Sequence, residues 1–284
     1  MFIRKIACAV LALALVIFLG PIGESWAGEV TMSFHGNQHF RFVSNDGKVI
    51  LINPWVKGNK DTAGVTMESF KKGSVDLILT TSGHGDDQGQ AVEIAAKTGA
   101  TIFTVAELGS LMQSQIEQYG GSKKQIYRGA IGGRTKVGGV TVQLIQSSHG
   151  SGSKPAKGEG AAWHYGGPAS GSVITFENGL KVLMAGSTGL SMDLKLFGMR
   201  FQPHVVMVPV MGRFMMHPDD AAFATKLLMT DNPNLKTAIP QHVRYKGGYP
   251  WMGTGKQFEA EVKKLGLNVK VLIPTPGKVY TLSK

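Results

Sequence analysis

The chain has 284 residues, a formal charge of +11, 43% hydrophobic residues and one cysteine, Cys8. That apolar content is enough for one large core and excludes a low-complexity chain. A single cysteine excludes a disulfide framework, and its place near the N-terminus excludes thiolate metal sites and cysteine nucleophiles from the body of the protein.

Residues 1–27 read as a targeting segment. Arg4 and Lys5 form a positive start, Ile6 to Leu19 is an apolar run, and Ser25-Trp26-Ala27 offers a small-x-small cleavage site. The run is shorter than a bilayer-spanning helix requires. The expected location is the periplasm or the medium. Residues 28–284 contain no linker or repeat and are expected to form one domain. Their basic residues are scattered, among them Lys48, Lys57, Lys60, Lys123, Lys124, Arg134 and Arg244. Such a surface favours a small anionic substrate and, as a second partner, peripheral association with an anionic membrane face. Nucleic acid is not expected, because no basic stripe interleaved with aromatics is present.

The predicted elements begin with three short strands, Val30–Phe34, His39–Val43 and Lys48–Ile52, the last two joined by the turn Asn45-Asp46-Gly47. A strand over Val75–Thr81, a helix over Asp87–Lys97, a strand over Thr101–Thr104 and a helix over Ala106–Gln118 follow. The second half repeats the scheme. Strands Val140–Gln146, Ser172–Phe176 and Leu180–Ala185 lead into helix Met192–Gly198, strand Val205–Val210, helix Asp219–Met229 and strand Lys236–Pro240. Helix Lys256–Leu265 and strands Val269–Ile273 and Lys278–Leu282 close the chain. Gly150–Gly167, rich in glycine and lysine, reads as an insertion able to fold over a site.

Between the strand at Val75–Thr81 and the helix after it lies Thr80-Thr81-Ser82-Gly83-His84-Gly85-Asp86-Asp87, where glycines free the backbone to turn His84, Asp86 and Asp87 toward one point. The acids could equally cap the helix they open. Two phosphate-loop candidates, at Gly150–Lys154 and Gly253–Lys256, lack the required spacing. A triad of Ser82, His149 and Asp86 is conceivable, although triads are defined by geometry that a sequence does not show.

This stretch resembles the T-H-x-H-x-D-H signature of the metallo-β-lactamase fold superfamily. Thr81, His84 and Asp86 match; Ser82 stands at the first histidine and Asp87 at the last. The resemblance spans nearly all of residues 28–284. Gly36-Asn37 with Ile52-Asn53-Pro54 resembles the opening G-H and I-D-P of the ascorbate-phosphate-lactonase-like branch, which includes metal-dependent hydrolases and, more distantly, N-acylethanolamine phospholipases D. His149 matches the third ligand position. Met184-Ala185-Gly186-Ser187-Thr188-Gly189 resembles H-x-G-D-T-G, with Ser187 at the metal-bridging aspartate. Pro240-Gln241-His242 matches the late P-x-H.

The resemblance implies an α/β fold, specifically a four-layer αββα sandwich, and a hydrolase whose metal ligands come from His84, Asp86, Asp87, His149 and His242. Asn37, Asn53, Ser82, Asp87, Met184 and Ser187 depart from the pattern, which implies one divalent ion rather than two. His84, His149 and His242 with Asp86 would make a nitrogen-rich zinc site. Asp86, Asp87 and His242 would make an oxygen-rich site suited to manganese or iron. The first set leaves a bound water more acidic, so zinc is the expected ion, with Asp86 or Asp87 as the catalytic group that orients the water or shuttles its proton. The alternative is a non-catalytic relative binding a ligand in the same cleft.

Overall fold

A computed structural model describes residues 28–154, 162–246 and 248–284. The targeting segment and residues 155–161 of the Gly150–Gly167 insertion lie outside the described residues.

The first sheet is built from β1 (Val30–Phe34), β2 (Phe40–Val43), β3 (Val49–Ile52), β4 (Leu77–Leu79), β5 (Thr101–Val105) and β6 (Ile126–Gly129). The second begins with β7 (Arg134–Val137) and β8 (Val140–Gln146). A two-stranded ribbon, β9 (Gly152–Ser153) with β10 (His164–Tyr165), interrupts it. It resumes with β11 (Ser170–Thr175), β12 (Lys181–Met184), β13 (Val205–Pro209), β14 (Thr237–Gln241) and β15 (Lys270–Val271). The last strand, β16 (Val279–Leu282), returns to pair antiparallel with β1. The spatial orders are β16-β1-β2-β3-β4-β5-β6 and β15-β14-β13-β12-β11-β8-β7.

The layering follows from side-chain alternation along the strands. In β13, Val205 and Met207 join a core shared with Met32, Phe42 and Ile52 of the first sheet. Val206 and Val208 point the other way, against Ala221 and Leu228 of helix α5 and Phe258 of α6. Both faces of β13 are therefore buried, which is why VVMVP reads as an unbroken apolar run rather than an alternating one. The helices are α1 (Gly85–Gln88), α2 (Ala91–Thr98), α3 (Ala106–Ile116), α4 (Asp193–Phe201), α5 (Pro218–Met229) and α6 (Gly255–Lys264). Ile94, Ala95, Leu108 and Met112 pack α2 and α3 on the first sheet, while α4, α5 and α6 cover the second. The αββα sandwich is the observed architecture.

Two local departures from the expected elements have physical causes. The helix expected over Asp87–Lys97 is broken into α1 and α2 at Gly89, whose φ is 50°. A Cβ there would lie 2.4 Å from the Pro54 carbonyl oxygen, so the close approach of the two chains requires glycine. Strands β6 and β7 lie between residues 118 and 140, where the sequence pattern predicts no element; β7 alternates exposed and half-buried residues and forms the edge of its sheet.

Strands β3, β4 and β5 run parallel in the first sheet, as do β12, β13 and β14 in the second. The loops that leave their carboxyl ends carry Asn53, Ser82–Asp87, Ser187 and His242. In open α/β sheets that edge is where ligands bind.

Candidate metal centre

Each site residue is fixed by the backbone just beyond a buried strand. After β4, the Thr81 amide donates to Asn53 Oδ1 at 3.0 Å, and Asn53 Nδ2 donates to Thr81 Oγ1 at 2.8 Å. This pair locks the β3 and β4 exits together. Gly83 passes so close to Ser151 that a Cβ would meet its carbonyl oxygen at 2.8 Å. One turn of helix, α1, then presents Asp86 outward and Asp87 inward.

Asp87 is 1% exposed yet well provided with donors. The Ser187 hydroxyl lies 2.9 Å from Oδ2 and 3.2 Å from Oδ1, and Ser82 donates to Oδ2 as well. His242 Nε2 approaches Oδ1 at 3.6 Å. Burial pushes the Asp87 pKa up, but the hydrogen bond and charge of His242, together with the two hydroxyls, outweigh it and hold the carboxyl below its ordinary value. Asp87 is thus an anion at neutral pH. Asp86 accepts a hydrogen bond from Asn37 Nδ2 at 3.1 Å, and its Oδ2 lies 3.9 Å from His242 Nε2. Asn37 (φ 59°), Asn53 (φ 45°) and His242 (φ 56°) all occupy the left-handed region, which concentrates backbone strain at this one place.

The structure sorts the five predicted ligands into two groups. Asp86, Asp87 and His242 offer ligand atoms that all lie within 4.8 Å of one another. His84 and His149 stand beside them as a pair, rings edge-to-face with centroids 5.0 Å apart. Both are half-buried in the wall of a cleft of about 620 Å³ whose floor includes Asp86. Burial, then the neighbouring charge of His84, lowers the His149 pKa, which favours a neutral imidazole. The oxygen-rich set therefore converges most tightly. The Ser82–His149–Asp86 triad does not form: Ser82 donates to Asp87, and His149 packs edge-on against His84.

The positions that depart from the family pattern are not idle. Ser82 and Ser187, which stand at ligand positions of the pattern, and Asn37, which stands at the histidine of its opening motif, supply donors to Asp87 and Asp86. Their roles could not be read from the chain, because Asp87 and Ser187 are 100 residues apart. The aromatic lining of the cleft, from Trp55, Trp163, Phe214 and Trp251, was also missed, along with Arg244. The one available signal was the place of Arg244 two residues after His242.

The family profile described as beta-lactamase superfamily domain matches residues 31–234. A UPF0173 metal-dependent hydrolase of Rubrobacter xylanophilus is 33% identical over 258 residues, covering 90% of this chain and 98% of the relative. The chain belongs to this family of metal-dependent hydrolases. A second relative with the same description, from Methanopyrus kandleri, is 37% identical over 238 residues, covering 84% and 94% of the two chains. Among solved structures, a metallo hydrolase from Ignicoccus hospitalis superposes with a TM-score of 0.68 at 26% identity, over 90% of this chain and 99% of that one.

Family membership implies a divalent metal, and the residues fit one ion. Among the described residues His242 Nδ1 has no hydrogen-bond partner, and Nε2 faces the Ser187 hydroxyl at 3.4 Å with Asp87 and Asp86 oxygens at 3.6 and 3.9 Å, so a cation seated among the three ligands would be met by Nε2 and those oxygens. A second ion does not fit equally well. Its bridging carboxylate is replaced by Ser187, a neutral hydroxyl already committed to Asp87.

Proposed function

We propose that this chain is an exported hydrolase with a mononuclear metal site that cleaves an ester, lactone or phosphodiester bond in a small anionic substrate. The observation that carries the reading is the convergence of Asp86, Asp87 and His242, of which Asp86 lines the cleft and the other two lie buried behind it. These three residues would hold the ion, and His84 and His149 line the same cleft as Asp86. A divalent ion bound there supplies Lewis acidity and a bound water of lowered pKa. The carboxylate-rich donor set favours manganese or iron over the zinc expected from the nitrogen-rich alternative.

The two acids differ in what they can do. Asp87 is sealed and hydrogen-bonded on both oxygens, which suits a fixed ligand. The Asp86 side chain is 25% exposed and opens on the cleft, so it is placed to take a proton from a water and release it to solvent. Net positive charge on the exterior would draw an anionic substrate toward this opening.

The test is metal content by mass spectrometry on tag-free protein, followed by hydrolysis screens on carboxylic ester, lactone and phosphodiester substrates. About one ion per chain, lost in an Asp87→Ala/His242→Ala variant together with turnover, is expected. Metal-free protein that takes up no ion from manganese, iron or zinc solutions would overturn the reading. The Ser82 and Ser187 hydrogen bonds would then mark a self-satisfied site in a non-catalytic binding protein.

A further inference from the structure

Above the carboxylates, the cleft changes character. Trp55, Trp163, Phe214, Tyr249 and Trp251 line it, and Tyr249 stacks on Trp251 with centroids 5.3 Å apart and planes 6° from parallel. Met211, Met215 and Met252 fill between them, giving a wall that adapts to different apolar shapes. Phe214, Trp163 and Tyr249 are more than half exposed, a large apolar surface to leave in water.

Two cations sit on this aromatic lining. The Arg244 guanidinium lies 5.1 Å from the Trp55 ring centre, and Lys154 Nζ lies 5.6 Å from that of Trp163. Arg244 is the more telling. Its Nε is buried and has no hydrogen-bond partner among the described residues. A buried, unpaired guanidinium donor is costly unless something accepts from it.

Its backbone is also held in place. Val243 bridges to Asn37, and the amides of Tyr245 and Lys246 donate to the Asp61 carboxylate at 2.8 and 2.6 Å. The Tyr245 hydroxyl donates to the Pro274 carbonyl, and burial, with Tyr280 and Asp61 nearby, pushes its pKa up to about 12. Arg244 is therefore presented on a rigid loop, with its ordering cost met before any ligand arrives.

We infer that the cleft is a binding site for a monoanionic amphiphile, its apolar body lying among the aromatic and methionine side chains and its anionic group paired with Arg244. A planar fork of N–H donors suits a carboxylate, sulfonate or phosphate ester. The inference rests on the hydrolase reading only for the position of the scissile bond, which would lie on the Asp86 side of that anion.

Fluorescence titration of metal-stripped protein tests it with 8-anilinonaphthalene-1-sulfonate and its uncharged counterpart, N-phenyl-1-naphthylamine. The expected result is one sulfonate probe per chain, bound about tenfold or more tightly than the neutral probe, as a charge-assisted hydrogen bond allows. Arg244→Gln should shrink that preference to within about threefold, and Arg244→Lys should restore part of it. As a measurement on the unaltered protein, 1-octanesulfonate should displace the sulfonate probe where equal 1-octanol does not. Equal affinity for the two probes, an unchanged preference in a folded Arg244→Gln protein, or equal displacement by the alcohol would overturn the inference. Neither probe is hydrolysed and no metal is present, so failure here leaves the hydrolase reading standing, and failure of that reading leaves this one.

Discussion

The two halves of the metal centre have met the loss of ligands in different ways. On one side, Asp86, Asp87 and His242 are drawn together, and the replaced positions Asn37, Ser82 and Ser187 have become donors to the two carboxylates. On the other, His84 and His149 lie half-buried against each other in the cleft wall, with Trp163 edge-on to His84 at 6.2 Å. The difference shows that carboxylates and imidazoles of one candidate site can be held by different physics. A carboxylate left without its ion must find hydrogen bonds or be protonated, whereas a half-exposed imidazole can be neutral and solvated.

The largest effect should fall on the acid side. Asp87→Ala removes one of the three converging side chains and strips Ser82, Ser187 and His242 of their shared partner. Metal affinity is expected to drop on the order of 100-fold, and the metal-free protein to lose roughly 2–3 kcal/mol. His84→Ala, on the loose side, should weaken affinity by about tenfold or less. Competition titration with manganese measures both. A reversed order would show that the ion belongs to the histidine pair, and the asymmetry would be broken.

Restoring the bridging acid sharpens the contrast. Ser187→Asp places a second carboxylate beside Asp87 where a hydroxyl now donates at 2.9 Å. Two buried anions repel, so the metal-free variant should lose about 1–3 kcal/mol by urea denaturation. Added manganese or zinc should restore that loss and raise the stoichiometry above one ion per chain. Destabilisation that no cation relieves would show that the pocket cannot seat a second ion at all.

The sandwich was legible in the sequence because fully buried strands such as Val205–Pro209 and Leu77–Leu79 carry an apolar residue on both faces. The turn at Asn45-Asp46-Gly47 was legible for a local reason, since Gly47 takes a positive φ of 80°. Polar edge strands, β7 above all, were not, because pairing with β8 rather than composition makes Arg134–Val137 a strand. At the site, the candidate ligands His84, Asp86, Asp87, His149 and His242 could be named, each from its own motif. How they divide could not. That division depends on loops from both sheets meeting across the sandwich, and on hydroxyls whose partners lie far along the chain. Arg244 and the aromatic cleft were hidden for the same reason.

Acid should separate the two regions by pH. His39, wholly buried behind Asn37, has its pKa held well below 6.5 by burial and by the nearby charge of His35; burial lowers His35 too. Between that depressed value and 6.5 the unfolded chain binds more protons than the folded one. Stability therefore falls as pH drops below 6.5, by about a decade in the folding constant per unit for each such histidine. The depressed Asp87 carboxyl adds a further loss only as pH falls below 3.8. Urea midpoints from pH 7.5 to 5 should decline in the wild type and decline less steeply in His39→Gln. A flat profile would mean that His39 is not kept neutral.

The smallest effect on metal affinity is expected where a family carboxylate was lost outside the ligand cluster. Asn53 is fully buried and exchanges two hydrogen bonds with Thr81, one in each direction. In Asn53→Asp the Thr81 amide would keep its acceptor, and the Thr81 hydroxyl could rotate to donate instead of accept. The remaining cost is that of burying one more charge, offset in part by those hydrogen bonds and about 1–3 kcal/mol in stability. Because Asn53 spends its side chain on the Thr81 backbone rather than on the cluster, manganese affinity should change by less than about threefold. A tenfold gain in affinity would instead place residue 53 within the ion's reach, and the acid side of the centre would have to be redrawn to include the end of β3.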